Sequence, residues 1–286
     1  MKLLVYGAGA LGSLFAARLH DAGHDVSLLA RGARLAELRA HGLRLVEEDR
    51  HDVRSAPVRV VDRPEDGYEL IIVLVRAHQV RAALESLTHV DGDVLVLANW
   101  AAGPEPLSAV IGRDRLLLGF PTAGGRLVDG VLRHRADSWI TRLVTVPISE
   151  PDGRVTPRLE RTLRLFREIG MDAKAEPQVD AWLTTHAAVE VPLGQAVDAA
   201  GGPAALAGDR AAVRELVHTM RRNLAATAVP VIPSVIGVLH RLPTAVVAAV
   251  VRRFLLSRIA ERGLTPSPAA TAEMAALAEQ LRGRAR

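Results

Sequence analysis

One glycine pattern near the amino terminus decides most of what this chain can fold into. Residues 2–6 contain an apolar run, Leu3-Leu4-Val5-Tyr6, of the kind that forms a buried strand. Gly7-Ala8-Gly9-Ala10-Leu11-Gly12 follows at once. Residues 13–20 then read as a helix, with Leu14, Ala17 and Leu19 apolar, and Gly23 ends it. Residues 25–30 read as a second strand that closes on Arg31. A G-x-G-x-x-G set between strand and helix is the turn that brings a dinucleotide pyrophosphate to a helix N-terminus. Gly7 permits the turn, Gly9 lets backbone approach the phosphates, and Gly12 lets helix and strand pack closely. Ala10 and Leu11 present the first helical N–H groups. The expected fold class is therefore α/β and Rossmann-type at this end of the chain.

The end of the second strand bears on cofactor choice. NAD sites usually place an acidic side chain there to take the ribose hydroxyl. This chain has Arg31, then Arg34, and no acid between Asp25 and Glu37. A guanidinium fork suits a 2′-phosphate, so NADP is expected over NAD. The competing reading makes Arg31 one more solvated arginine in an arginine-rich chain.

At 286 residues, 49% of them hydrophobic, the chain can fill two domains with real cores. It has no cysteine, which excludes disulfides and thiolate metal sites and suits a cytoplasmic location. The chain starts on a strand with no signal-peptide pattern, and no apolar stretch reaches the ~20 residues of a membrane span. The histidines at 78, 89, 134 and 218 lack ligand-like spacing, so no metal is expected. Net charge is +4 although the pI is about 10.2, because arginine replaces lysine almost everywhere; Lys2 and Lys174 are the exceptions. The arginines are scattered and aromatics are scarce, which argues against nucleic-acid binding.

Further along, residues 43–47 and 53–61 read as strands, with a possible hairpin around 49–52. Residues 70–75 form a continuous apolar run, as in a parallel strand covered on both faces. Residues 93–98 and 116–119 are further strands, 131–134 and 138–146 antiparallel strands near a sheet edge, and 171–175 a last strand. Helices are expected over 34–41, 79–87 and 157–169. Near Pro177 the pattern becomes helical throughout: 179–197 with a kink at Pro192, 211–227, 234–241, 244–262 and 269–281. The expected layout is an NADP-binding domain over residues 1–176 and an all-α substrate and dimerisation domain over 177–286.

Functional side chains in open α/β sheets gather at the carboxyl ends of strands. Arg76, Asn99 and Thr122 are there with the glycine turn and Arg31. Asn99 is either a site residue beside the nicotinamide or a loop asparagine closing its own turn. Arg76 is either a site cation or a surface arginine.

These stretches resemble the ketopantoate reductase family. The likeness is carried by the glycine turn, Leu29-Ala30-Arg31-Gly32, Val75-Arg76-Ala77-His78-Gln79, Asn99, Gly119-Phe120-Pro121-Thr122 and Asp180-Ala181-Trp182. The resemblance covers residues 1 to about 200 well and thins afterwards. It implies an NADPH-binding Rossmann domain, a helical domain, an active site between them, a small-molecule substrate and a homodimer. By it Arg31 holds the 2′-phosphate, Arg76 replaces a lysine facing cofactor and substrate, Gln79 belongs to the cofactor site, and Asn99 contacts nicotinamide and substrate.

The departures point to a changed reaction. Two residues beyond the tryptophan, the family carries a lysine that polarises and protonates the ketone; here Thr184 stands there. Ala188 and Pro192 replace asparagines. A hydroxyl is a poor general acid at neutral pH, and losing a positioned acid costs ~10²–10⁴ in rate. Thr184 and Asn99 are expected to orient the acceptor. His186 and Glu190, at i and i+4, share a helix face; they form either an acid pair for the reaction or a surface pair. The expectation is an NADPH-dependent reductase of a carbonyl, imine or activated alkene other than ketopantoate. The alternative is a non-redox cyclase or isomerase, or a cofactor sensor, on the same scaffold.

Overall fold

The computed structural model describes residues 1–48, 50–134 and 145–284. These fall into two compact units, one of Met1–Ala98 with Pro104–Val179, the other of Asn99–Gly103 with the chain from Asp180 onward. The expectation for residues 138–144 lies outside the described residues.

The first unit holds twelve described strands: β1 (Lys2–Tyr6), β2 (Asp25–Leu29), β3 (Leu43–Glu47), β4 (Arg54–Ala56), β5 (Arg59–Val61), β6 (Leu70–Val73), β7 (Asp93–Leu97), β8 (Leu116–Gly119), β9 (Gly125–Val128), β10 (Val131–His134), β11 (Val146–Ser149) and β12 (Ala173–Ala175). The main sheet is ordered β12-β11-β8-β7-β6-β1-β2-β5. From β8 across to β5 every pairing is parallel, with β11 antiparallel to β8 and β12 parallel to β11. Strand order reverses direction at β1, with β2 on one side and β6 on the other, which is the switch point of a Rossmann-type sheet. Leu70–Val73 is buried along its whole length, as its unbroken apolar run requires.

Helix α1 (Ala10–Asp21) is buried from Gly12 to Ala17 and again at Leu19. It needs cover on more than one face, and a second sheet ordered β4-β3-β10-β9 contributes it. This sheet corrects one expectation. Residues 53–61 are not one strand: β4 pairs antiparallel with β3, Pro57 breaks the run, and β5 joins the main sheet beside β2. Residues 131–134 lie in the second sheet, paired with β9 through a turn whose Asp129 and Gly130 have φ of 49° and 74°. Helix α2 (Gly32–His41), α3 (Val80–Glu85), α4 (Glu105–Ile111) and α5 (Pro157–Glu168) complete the unit. Phe166 of α5 meets Phe15 of α1 edge to face, ring centroids 5.6 Å apart.

The second unit is helical: α6 (Val179–Ala200), α7 (Pro203–Gly208), α8 (Arg210–Ala226), α9 (Ser234–Arg241), α10 (Thr244–Leu255), α11 (Arg258–Gly263) and α12 (Pro268–Arg284). Helix α7 was not expected, and the helix expected over 244–262 is broken at Leu256, where Ser257 caps α11. Its core gathers Val197, Leu206, Val213, Leu216, Met220 and Leu255. Helix α6 runs through Pro192, which has no N–H to give the Ala188 carbonyl. Asn223 Nδ2 of α8 donates to that oxygen instead, at 3.3 Å. Helix α12 lies antiparallel to α6. Thr271 donates to Asp198 at 3.0 Å, a Cβ on Gly194 would lie 2.8 Å from Met274 Sδ, and Arg284 reaches Asp180. No described helix is long and apolar enough to cross a membrane.

Candidate functional site

The glycine turn follows β1. Gly7 sits at φ +111°, and a Cβ there would come within 2.4 Å of the Leu74 carbonyl oxygen of the neighbouring chain segment. A Cβ on Gly12 would lie 1.7 Å from the Gly7 carbonyl oxygen, so only glycine allows α1 this close. Around Gly9 the Cβ position has nothing within 4 Å. Helix α1 starts at Ala10 with no side-chain cap from Gly9 and no acid in its first turn. Open space beside Gly9 and the uncapped N–H groups opened by Ala10 and Leu11 fit the pyrophosphate of a dinucleotide.

Arg31 and Arg34, alike in sequence, differ in the fold. Arg31 is exposed, with its guanidinium 5.4 Å from the Tyr6 ring centroid and Nη2 donating to the Tyr6 hydroxyl at 2.5 Å. Arg34 is half-buried and engaged in structure. It donates to Ala8 O (3.1 Å), Ser13 Oγ (3.2 Å), Gly130 O (3.0 Å) and Glu37 Oε2 (2.6 Å). It ties the glycine turn to α2 and to the β9–β10 turn, so Arg31 is the better placed of the two to take a 2′-phosphate. Arg76 follows β6 at the same strand ends. Gln79 closes the short 3-10 turn after it, its Oε1 accepting the Arg76 N–H at 3.2 Å, a structural use that the sequence reading did not include.

Asn99 follows β7 but groups with the helical unit. It is partly exposed, and its side chain makes no hydrogen bond among the described residues. Two residues on, the Ala101 N–H donates to Gln280 Oε1 of α12 at 2.8 Å, and Trp100 Nε1 donates to Gly103 O at 2.7 Å.

On α6 the expected site residues divide between two faces. Thr184 is 1% exposed. Its hydroxyl donates to the Asp180 carbonyl oxygen at 2.8 Å and accepts from Arg284 Nη1 at 2.8 Å. Its proton is therefore committed inside the helix, and the expected direct contact with an acceptor is not one this rotamer can make. Arg284 also grips the Asp180 carboxylate with both Nη atoms, at 2.6 and 2.7 Å. This cation was missed from sequence, where the last helix was expected to end at residue 281. On the other face His186 stacks on Trp182, ring centroids 5.3 Å apart, and its Nε2 lies 2.7 Å from Glu190 Oε2. Among the described residues Glu190 Oε2 has no other polar partner. Trp182, His186 and Glu190 form a stripe at four-residue spacing that does not include Thr184. Among the described residues no cluster of three or more His, Asp or Glu could hold a metal.

Residues 3–142 match the family model described as ketopantoate reductase PanE/ApbA. This stretch of the sheet unit is similar to the ketopantoate reductase family. A 2-dehydropantoate 2-reductase of Archaeoglobus fulgidus is 30% identical over 191 residues, 66% of this chain and 60% of that protein. The chain spans less than two thirds of the length of the curated relatives it matches first. The fold of a 2-dehydropantoate 2-reductase from Geobacter metallireducens superposes with a TM-score of 0.71 at 16% identity, over 100% of this chain and 98% of that one. A D-mandelate dehydrogenase with NADH and anilino(oxo)acetate superposes at 0.69 and 16% identity, over 99% of both chains. The ketopantoate reductase architecture, sheet unit and helical unit, therefore extends over the whole chain.

Proposed function

We propose that this protein is an NADP-dependent oxidoreductase that reduces a small 2-oxo carboxylate other than 2-dehydropantoate. The likeness of residues 3–142 to the ketopantoate reductase family and the space beside Gly9 support a bound nicotinamide dinucleotide. Arg31, exposed beside Tyr6 with no acid at that strand end, supports NADP over NAD. When bound, the nicotinamide supplies a hydride to the acceptor's electrophilic carbon. The protein's part is to bind and orient the acceptor and to stabilise charge that develops on its oxygen. A relative is named for 2-dehydropantoate, a keto acid, and a neighbour, a D-mandelate dehydrogenase, is described with NADH and anilino(oxo)acetate, an amide carbonyl beside a carboxylate. The observation that separates this chain from the named reaction is Thr184: a buried hydroxyl whose proton is already donated to Asp180.

The test follows loss of NADPH absorbance with a panel of 2-oxo acids of differing bulk, with imines and 2-dehydropantoate included. Turnover of a 2-oxo acid with 2-dehydropantoate slower by ~10²-fold or more is the expected result. Tight NADPH binding with no turnover on any acceptor would overturn the reductase reading. Conversion of a ligand without cofactor consumption would favour a cyclase or isomerase.

A further inference from the structure

The carboxyl end of β1 carries a buried tyrosine whose hydroxyl meets Arg31. Tyr6 is the last residue of β1, paired with Leu29 of β2 on one side and Val73 of β6 on the other. It stands at the switch point itself, where open α/β sheets bind their ligands. The next residue opens the glycine turn, and the Gly7 N–H donates to Leu29 O at 3.2 Å, two residues before Arg31. The glycine turn and Arg31 are thus built around one strand end. Tyr6 is 4% exposed, yet its hydroxyl has two partners, Arg31 Nη2 at 2.5 Å and Ser86 Oγ at 2.9 Å.

The direction of these hydrogen bonds follows from the proton count. A serine has one hydroxyl proton, and Ser86 donates it to Ala83 O of α3 at 2.8 Å. Ser86 Oγ therefore accepts from Tyr6, and the Tyr6 oxygen, its own proton committed, accepts from the guanidinium. The ring adds a second hold, with the guanidinium carbon 5.4 Å from its centroid. Arg31 is exposed and makes no ion pair among the described residues. Tyr6 takes one N–H of Arg31 and leaves the other donors of the fork to a ligand. A loose arginine would lose its rotamer freedom on meeting a phosphate, and that ordering weakens binding. Here the fold has done part of the ordering beforehand.

We propose that Tyr6 is a positioning residue for cofactor choice: it holds the Arg31 guanidinium ready for the 2′-phosphate of NADP, and Ser86 fixes the direction of the Tyr6 hydroxyl. The proposal rests on the reading of the protein as NADP-dependent. Arg31 supplies the charge, and Tyr6 acts through it. Two accounts compete. In one, Tyr6 only packs the strand end. In the other, the contact draws Arg31 away from the phosphate, so that binding must first break it.

NADPH and NADH are titrated calorimetrically into the full chain. Tyr6→Phe removes the acceptor and keeps the ring. It should weaken NADPH ~3- to 10-fold, the effect of having to order one long side chain on binding, with NADH unchanged. Ser86→Ala should act in the same direction by a smaller factor. In an Arg31→Gln background neither substitution should change the affinity for either cofactor. If Tyr6→Phe does not fold, Ser86→Ala with and without Arg31→Gln decides the matter. Equal losses for the two cofactors would show packing alone and overturn the proposal. Tighter NADPH would show the opposing contact and overturn it as well. Unchanged NADPH affinity in the variant that folds, while Arg31→Gln abolishes the preference, would overturn the part assigned to Tyr6 and leave NADP dependence standing. A wild type without preference for NADPH would end both.

Discussion

Two arginines three positions apart on the chain have different work in the fold. Arg31 leans on Tyr6 and stays exposed, while Arg34 spends its donors on Ala8, Ser13, Gly130 and Glu37. Arg31→Gln should therefore weaken NADPH ~10- to 100-fold and leave NADH nearly unchanged, since only the 2′-phosphate loses a charged partner. Arg34→Gln should instead lower stability by ~1–3 kcal/mol and weaken both cofactors alike, because the glycine turn loses its brace. Direct titration of each cofactor with chemical denaturation of each variant checks both outcomes. The sequence could not separate these residues. Both follow the second strand, and what distinguishes them is a carbonyl at Gly130, 96 residues away.

At the scale of elements, α6 stays continuous through Pro192 because another helix serves the carbonyl that proline strands. Asn223→Leu leaves Ala188 O without that donor and should cost ~1–3 kcal/mol. In a Pro192→Ala background residue 192 has an N–H again, and the same substitution should cost less than half as much. Equal costs in the two backgrounds, measured by urea unfolding, would show that the Asn223 contact is incidental. Pro192 reads as a kink in sequence, since proline both removes a donor and crowds the preceding turn. The partner that offsets the lost donor sits on α8, 35 residues beyond Ala188. Strand β9 was legible in principle: Asp129-Gly130 is the pair that favours a two-residue hairpin, and both residues adopt positive φ. The apolar run of 70–75 left no such choice, because an unbroken run matches a strand covered on both faces.

For the whole molecule, a cofactor that binds only the folded chain must stabilise it. NADPH at 100 times its dissociation constant should add ~2.7 kcal/mol and raise the melting temperature accordingly. NADH at the same concentration should raise it less, and the difference should vanish in Arg31→Gln. Equal shifts by the two cofactors in the wild type would remove the case for NADP preference.

What the sequence by itself determined is the Rossmann-type half: the glycine turn, the strand and helix flanking it, and the change to helices near Pro177. These features are local. A positive-φ glycine, a close approach and an apolar period are each written within some tens of residues. Only the tertiary structure decided which polar groups meet. Asn99–Gly103 joins the helical unit through a hydrogen bond spanning 179 residues, and Arg284 comes to Thr184 across 100. Such meetings depend on helix packing far along the chain, and a buried hydroxyl or a guanidinium takes whichever partner the packing brings within reach. The glycine turn could therefore be read from sequence, while the cation beside Thr184 emerged only when α12 lay along α6.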